Sequence, residues 1–371
     1  MIYLDIETNG LDPSRIWCAV TRQNGVNKVH TSPESLSEAL RSSQSVVGHN
    51  LIGYDMPVLK RLWKLSVNPE RIVDTLVLSR LVDPSREGGH SLRNWGNQLG
   101  FPKGDHDDWS SLSMQMVEYC ERDVEVTEAV HNKLTSELTS FSAESAELEH
   151  RVQQIIHQQE RNGWLLDQEL ARDLCATFKE RMNDIEAELQ QKFPPIIHER
   201  YSEKTGKRLK DKVTVFNVGS RQQIAERLAS KGAVWKELTP AGKPKVDEAT
   251  LKKQTHIPEA KIILRYLLCQ KRASHVDSWI KAVGEDNRIH GRVRHIGAVT
   301  GRMAHSSPNM AQIPAVRAEY GKQCRELFTT PEGRVLVGAD ASGLELRMLA
   351  HYMDDESYTN EILSGDIHTA N

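Results

Sequence analysis

Asp5 and Glu7 stand two positions apart in an apolar run, Tyr3-Leu-Asp5-Ile-Glu7-Thr8. Residues at that spacing on a strand face the same side. Two acids on one face of an interior strand repel each other unless cations lie between them. Asn50-Leu-Ile-Gly-Tyr-Asp55 brings a third carboxylate to the start of a helical pattern, and Tyr119-Cys-Glu-Arg-Asp123 brings a fourth on another. Tyr119 and Asp123 are four residues apart and so share a helix face. Four carboxylates and a tyrosine suffice for two divalent ions, which at about 4 Å separation can clamp the attacking and leaving oxygens of an in-line phosphoryl displacement. One ion would generate hydroxide, and Tyr119 would position that water and the scissile phosphate. Hard oxygen ligands favour Mg²⁺, two ions per site, with Mn²⁺ as a substitute, over zinc. Asp5, Glu7, Asp55, Tyr119 and Asp123 are the first candidate catalytic set, and its four acids are candidate metal ligands. Two other polar groups nearby have plainer readings. Asp74-Thr75 caps a helix, and His106-Asp107-Asp108 lies in a polar, hydrated turn.

A second acid is delivered far downstream. Val335-Leu-Val-Gly-Ala-Asp340 reads as a buried strand, and a helical pattern over 344–352 follows Gly343. The elements that must position both sites follow from periodicity. Residues 2–6, 16–20 and 45–48 read as strands, whereas 54–65, 74–82 and 113–134 have helical apolar spacing. Residues 83–90 are loop by composition. From 140 to 193 the pattern is long and helical, broken at Asn162-Gly163 and ended by Pro194-Pro195. Residues 200–212 carry six Lys or Arg and read as an exposed basic loop, either a solvated turn or a tip that touches phosphates. A second loop, Thr239-Pro-Ala-Gly-Lys-Pro-Lys245, precedes an acidic helix start, and 258–283 is another long amphipathic helix. Residues 288–299 alternate as a strand or hairpin with one basic face.

Composition bounds the answer loosely. A chain of 371 residues forms two or three domains, and its net charge of −3 is compatible with local basic patches for nucleic acid. No stretch is long and apolar enough to span a membrane. The N-terminus lacks the basic start of a signal peptide. Five scattered cysteines without a CxxC pair fit reduced thiols in a cytoplasmic compartment and argue against structural zinc.

The motifs Asp5-x-Glu7, His49-Asn50 through Tyr54-Asp55, and Tyr119 through Asp123 resemble those of the DEDD-type 3′–5′ exonucleases with a tyrosine in the third motif. Asp340-Ala-Ser-Gly-Leu-Glu345-Leu-Arg-Met-Leu-Ala-His351 resembles motif A of family A DNA polymerases, the group of bacterial DNA polymerase one. Thr300-Gly-Arg302 through Asn309, Gln312 and Pro314 resembles the family's primer–template segment, and Phe216-Asn-Val-Gly-Ser220 onward resembles its thumb motif. Ala341-Ser-Gly-Leu-Glu-Leu, with Gly365-Asp-Ile-His-Thr, is most similar to phage replicative members.

The resemblance implies an α/β RNase H-like exonuclease domain at 1–135. A mostly helical thumb region at 136–285, with its basic tip at 200–212, and an incomplete α+β palm at 286–371 follow. It implies that Asp340 and the carbonyl of Ala341 hold two Mg²⁺ ions with a second palm acid. It implies that Glu345 lies under the nucleotide sugar, and that Arg302, Asn309 and Gln312 bind primer–template DNA. His351 is a core histidine or a contact near the incoming nucleotide.

The family's fingers helix and second palm acid find no match in 353–371, where Asp354, Asp355 and Asp366 stand in other contexts. The expectation is therefore the N-terminal subunit of a split DNA polymerase: a proofreading exonuclease that acts on a single-stranded 3′ end and needs a second polypeptide to polymerise. A free-standing exonuclease with a DNA-binding remnant and a non-catalytic replisome scaffold are the alternatives. The interval from Asp123 to Asp340 is too short for a thioredoxin-recruiting thumb insertion, so thioredoxin is not expected as a partner. A phage origin would put the protein in the host cytoplasm.

Overall fold

The computed structural model describes residues 1–364; the Gly365-Asp-Ile-His-Thr motif and Asp366 lie outside them. The chain divides into two compact units, Met1–Phe328 and Thr329–Asn371. The boundaries expected at 135 and 285 fall inside the first unit.

The N-terminal part is built on a five-stranded sheet. Its strands are β1 (Ile2–Thr8), β2 (Ile16–Gln23), β3 (Val26–His30), β4 (Val46–Gly48) and β5 (Ile72–Asp74), in the order β3-β2-β1-β4-β5. β1 pairs antiparallel with β2 and parallel with β4, which pairs parallel with β5. The helices of this part are α1 (Pro33–Arg41), α2 (Asp55–Val58, continuing as a π turn over Leu59–Trp63), α3 (Thr75–Val82), α4 (Leu92–Gln98) and α5 (Met114–Glu137). β1 alternates in two directions. Ile2, Leu4 and Ile6 enter one apolar cluster with Val46, Leu51 and Leu59. Tyr3 enters another with Cys18, Val20, Cys120 and Val124, the last two from α5. Asp5 and Glu7 share the parity of Tyr3, so they lie on the face that α5 covers.

α6 (Ala143–Asn162), β6 (Trp164–Leu166) and α7 (Gln168–Lys192) follow, with the break at Gly163 where the sequence places it. Next come β7 (Ile196–Tyr201) and β8 (Arg208–Thr214), then α8 (Arg221–Ala229), α9 (Glu248–Lys252) and α10 (Pro258–Lys281). α7 and α10 bury two clusters, one around Phe216, Ile224 and Ile263, the other around Phe178, Val276 and Trp279. The basic stretch 200–212, expected as an exposed loop, is exposed and forms the end of the β7–β8 hairpin, with its turn at 202–207 and the rest in the two strands. β7 is exposed throughout and β8 nearly so, and without a buried face there is no alternation to read.

The 288–299 stretch, expected as a strand or hairpin, holds two short strands that pair with other elements. β9 (Arg288–Ile289) pairs with β6, while β10 (Arg292–Arg294) pairs with β11 (Ala304–Ser306). The last elements of this unit are α11 (Gly321–Glu326) and β12 (Phe328–Thr329), where it ends.

The second unit holds α12 (Leu344–Met353) and α13 (Glu356–Ser364). α12 starts after Gly343 as the sequence indicates. The buried strand expected at 334–340 is absent: the segment has no strand structure, and Val335 and Val337 are 81% and 88% exposed. A central strand needs neighbours on both edges to satisfy its backbone, and no described strand pairs with this one. Among the described residues, no helix is long and apolar enough to cross a membrane.

Candidate active site

Three elements converge at the end of β1. β1 presents Asp5 and Glu7 opposite Val20 and Cys18 of β2, with an irregularity in pairing between Glu7 and Thr8. The turn after β4 presents Asp55. Gly48 is needed there, because a Cβ would come within 2.8 Å of the Leu4 carbonyl oxygen and closer still to Leu51. Asn50 takes a left-handed conformation (φ 63°), which asparagine tolerates better than most residues. Asp74 holds this turn. Its carboxylate accepts from the backbone N–H groups of Asn50 (2.8 Å) and Ile52 (3.0 Å) while capping α3 through Leu76 N–H (3.0 Å). Tyr54 fixes the other side. Its hydroxyl donates to the Gly10 carbonyl (2.8 Å) and lies 2.6 Å from Thr8 Oγ1. α5, capped by Ser113, supplies Tyr119 and Asp123 from one face. The result is an open cleft of about 170 Å³, lined by Asp5, Glu7, Asp55, Tyr119 and Asp123 together with His49, Asn50, Lys103 and Trp109.

The acids crowd one another. Burial, then the Asp5 and Asp123 charges, push Glu7 to about 10. Burial, then Asp123, push Asp5 to about 7. Burial, then Asp5, hold Asp55 well above the usual carboxylate range. Burial raises Asp123 to about 6 even though Lys103 pulls the other way. Burial depresses His49 to about 3, so it is neutral at physiological pH, with Nδ1 2.8 Å from Thr75 Oγ1.

This donor set fits divalent cations. Asp123 Oδ1 is buried without a hydrogen-bond partner, a costly state for a carboxylate oxygen that a cation relieves. Ligand atoms of Asp5, Glu7 and Cys120 lie within 4.8 Å of one another. Carboxylate oxygens suit hard ions. The Cys120 thiol donates weakly to the Asp5 carbonyl (3.6 Å) and to Oδ2 (3.5 Å).

Several site residues are absent from the sequence-derived set. Lys103 pairs with Asp123 and lies 4.4 Å from the centre of the Tyr119 ring. Trp109 and His106 form a ring cluster with Tyr119, with centroids 4.8 to 5.8 Å apart. His106 lies in the irregular segment where the sequence places it, and its ring packs against two residues of the cleft wall, Trp109 and Tyr119. Asp107 and Asp108 are exposed, as expected there. These residues lie in the aperiodic segment between α4 and α5, and sequence spacing gives no signal for them.

The second candidate set is divided between the two units. Asp340 and Ala341 are exposed in an irregular segment, and Glu345 is exposed on α12. His351 is also exposed, 5.6 Å from the Tyr352 ring centre, so it is not a core histidine. Arg302, Asn309 and Gln312 belong to the first unit, where Asn309 caps a 3₁₀ turn that contains Gln312.

A model of DNA polymerase family A matches residues 179–371, and a model of 3′–5′ exonuclease matches residues 1–139. The chain belongs to DNA polymerase family A. It is therefore an enzyme of the DNA polymerase class with a 3′–5′ exonuclease domain, and both kinds of domain generally depend on divalent metal. The DNA-directed DNA polymerases of Enterobacteria phage T3 and Escherichia phage T7 are each 31% identical over 509 aligned positions, taking in all of this chain and 72% of theirs. The alignment is longer than this family A chain, so the phage relatives carry insertions relative to it. DNA polymerase I of Aquifex aeolicus is 27% identical over 99% of this chain and 62% of its own length. Among solved structures, the POL domain of Pol1 from M. smegmatis, in complex with DNA primer-template and dNTP, superimposes with a TM-score of 0.74 at 20% identity. That likeness shows the fold, and this chain spans 62% of that one.

Proposed function

We propose that the N-terminal part, an RNase H-like domain, removes nucleotides from a DNA 3′ end by two-metal phosphodiester hydrolysis, as a proofreading exonuclease. The observation that carries this is the convergence of Asp5, Glu7, Asp55 and Asp123 with Tyr119 in one cleft. Asp5, Glu7, Asp55 and Asp123 would hold two Mg²⁺ or Mn²⁺ ions, which supply hydroxide at neutral pH and neutralise charge on the leaving oxygen. Tyr119 orients the attacking water and the scissile phosphate through its hydroxyl. Trp109 and His106 extend the ring surface beside Tyr119 and offer a stacking wall for the terminal base. In this reading the cleft takes a single-stranded end that has left its duplex.

For the polymerase reaction, Asp340 and the Ala341 carbonyl would hold metal, Glu345 would underlie the sugar, and Arg302, Asn309 and Gln312 would grip the primer–template. His351 would approach the nucleotide. This chemistry also takes a second palm acid and a fingers helix, which a second polypeptide would supply in our reading, with residues 286–371 forming part of the palm after a helical thumb region. The exposure of Asp340 in an irregular segment favours, as the other reading, a chain that works as an exonuclease by itself.

A 3′-recessed primer–template incubated with Mg²⁺ tests both. The chain alone should shorten the primer, and Asp5→Ala with Glu7→Ala should abolish shortening while DNA binding persists. Equal cleavage by that double variant would remove the assigned roles. Addition of a polypeptide with family A fingers and second palm acid, plus deoxynucleotides, should turn shortening into extension. Failure of every such addition would leave the exonuclease alone, or a single longer chain as the polymerase.

A further inference from the structure

We propose that Lys103 is a substrate-binding residue of this cleft, whose ammonium holds the Asp123 carboxylate until a divalent ion takes it, and then binds the scissile phosphate. The inference rests on the exonuclease reading above, which assigns Asp123 to the metal.

Lys103 is not a surface lysine that has drifted onto an acid. Its side chain is 17% exposed and that of Asp123 4%. The segment that carries it is fixed from several sides. Phe101 N–H donates to the Gly96 carbonyl (2.8 Å), Arg122 lies 4.0 Å from the Phe101 ring centre, and Arg93 pairs with Asp105 at 2.8 Å. Further along, the Trp109 carbonyl accepts from Trp17 Nε1 at 3.1 Å. A long, flexible side chain on a fixed segment can move its charge by a few ångströms without moving the backbone.

Charge balance says where it goes. Asp5, Glu7, Asp55 and Asp123 are four carboxylates, and Lys103 is the one cation among the residues that line the cleft. Two divalent ions would neutralise the four acids and leave the single negative charge of a phosphodiester unbalanced. The Lys103 ammonium, displaced from Asp123 yet still beside Tyr119, supplies that balance next to the phosphate that Tyr119 positions. A fixed cation in a partly dry cleft stabilises developing phosphate charge far more than one in water. A purely structural Lys103–Asp123 pair would have no such second role. Removing its lysine would leave a buried, uncompensated carboxylate and lower stability, without slowing the metal-loaded enzyme.

The test combines metal binding with kinetics in the full chain. Mn²⁺ affinity is measured without DNA by electron paramagnetic resonance, and 3′-nucleotide release is measured at saturating Mn²⁺ and saturating single-stranded DNA. Lys103→Met should bind Mn²⁺ several-fold more tightly, because no internal cation competes for Asp123. It should also release nucleotide more slowly, by about 10²-fold, the scale seen when one charge-stabilising donor is lost. Lys103→Arg should recover much of the rate. Lys103→Gln keeps a donor for Asp123 and serves as the neutral variant should Lys103→Met fail to fold. Unchanged or weaker Mn²⁺ affinity in the neutral variants overturns the proposal, as does a rate within about twofold of wild type. A wild-type chain with no Mn²⁺-dependent cleavage sensitive to Asp5→Ala would instead overturn the exonuclease reading itself.

Discussion

At the scale of single residues, the site gathers negative charge that the fold alone does not neutralise. Asp5 is raised from 3.8 to about 7 by burial and then by Asp123, and Asp123 from 3.8 to about 6 by burial. A carboxylate whose folded value lies above its unfolded one binds protons more tightly when folded. Its contribution to stability is complete below pH 4 and is lost as pH rises through 6 to 7. The metal-free chain should therefore melt at lower temperature at pH 8 than at pH 5. Saturating Mn²⁺ should flatten that dependence, because the cation replaces the proton. Thermal melts in chelator and in Mn²⁺ check this, and a metal-free melting temperature that is flat or rises toward pH 8 contradicts it. The same residues show what was legible in the sequence. Asp5, Glu7, Tyr119 and Asp123 declare themselves because strand and helix periods fix which side chains share a face. Lys103 and Trp109 do not, since the segment between α4 and α5 has no period and only tertiary contacts aim it.

At the scale of elements, the site depends on a turn that the sequence reads too modestly. Asp74 is legible as a helix cap, and it is one. Its second task, accepting from Asn50 and Ile52, joins residues more than twenty positions apart. That task arises only because parallel pairing sets Gly48 beside Asp74. The backbone N–H of Asp74 in turn donates to His150 Nε2 of α6 at 2.8 Å, tying the helical region to the sheet. Asp74→Ala would leave three backbone donors without a carboxylate, two of them in the turn that leads to Asp55. The expected loss is about 3 kcal/mol of stability, from about 1 to 3 kcal/mol per orphaned buried donor with partial relaxation. Cleavage should fall as well, since Asp55 loses its placement. Urea unfolding and a cleavage assay on the same preparation measure both. A loss under about 1 kcal/mol together with full activity would show that the turn holds without Asp74. The strand elements were harder to read than the helices. β5 is three residues long, and β7 has no buried face, so neither shows an alternation. The 334–340 run has the composition of a buried strand, but composition cannot supply the neighbouring strands that would make it one.

At the scale of the molecule, the acids of the cleft and every large buried cluster lie in the first unit, Met1–Phe328. The second unit exposes Val335, Leu336 and Val337, and from α12 also Leu344, Met348 and Leu349. Exposed apolar side chains in this number form a candidate face for another structure. The buried clusters of the first unit are made of its own residues. A chain ending at Phe328 should therefore unfold cooperatively, with a melting temperature within about 3 °C of the longer chain, a shift that corresponds to about 2 kcal/mol at this size. It should cleave a DNA 3′ end at the same rate, since Asp5, Glu7, Asp55, Tyr119 and Asp123 are all retained. It should bind less of a dye that reports exposed apolar surface, and it should no longer support extension when the missing polymerase parts are supplied, because Asp340 is gone. Calorimetry, cleavage, dye fluorescence and primer extension on the two chains read these in turn. Loss of cooperative unfolding on removing residues 329–371 would mean that the second unit completes the core of the first, and that exonuclease and palm are one folding unit.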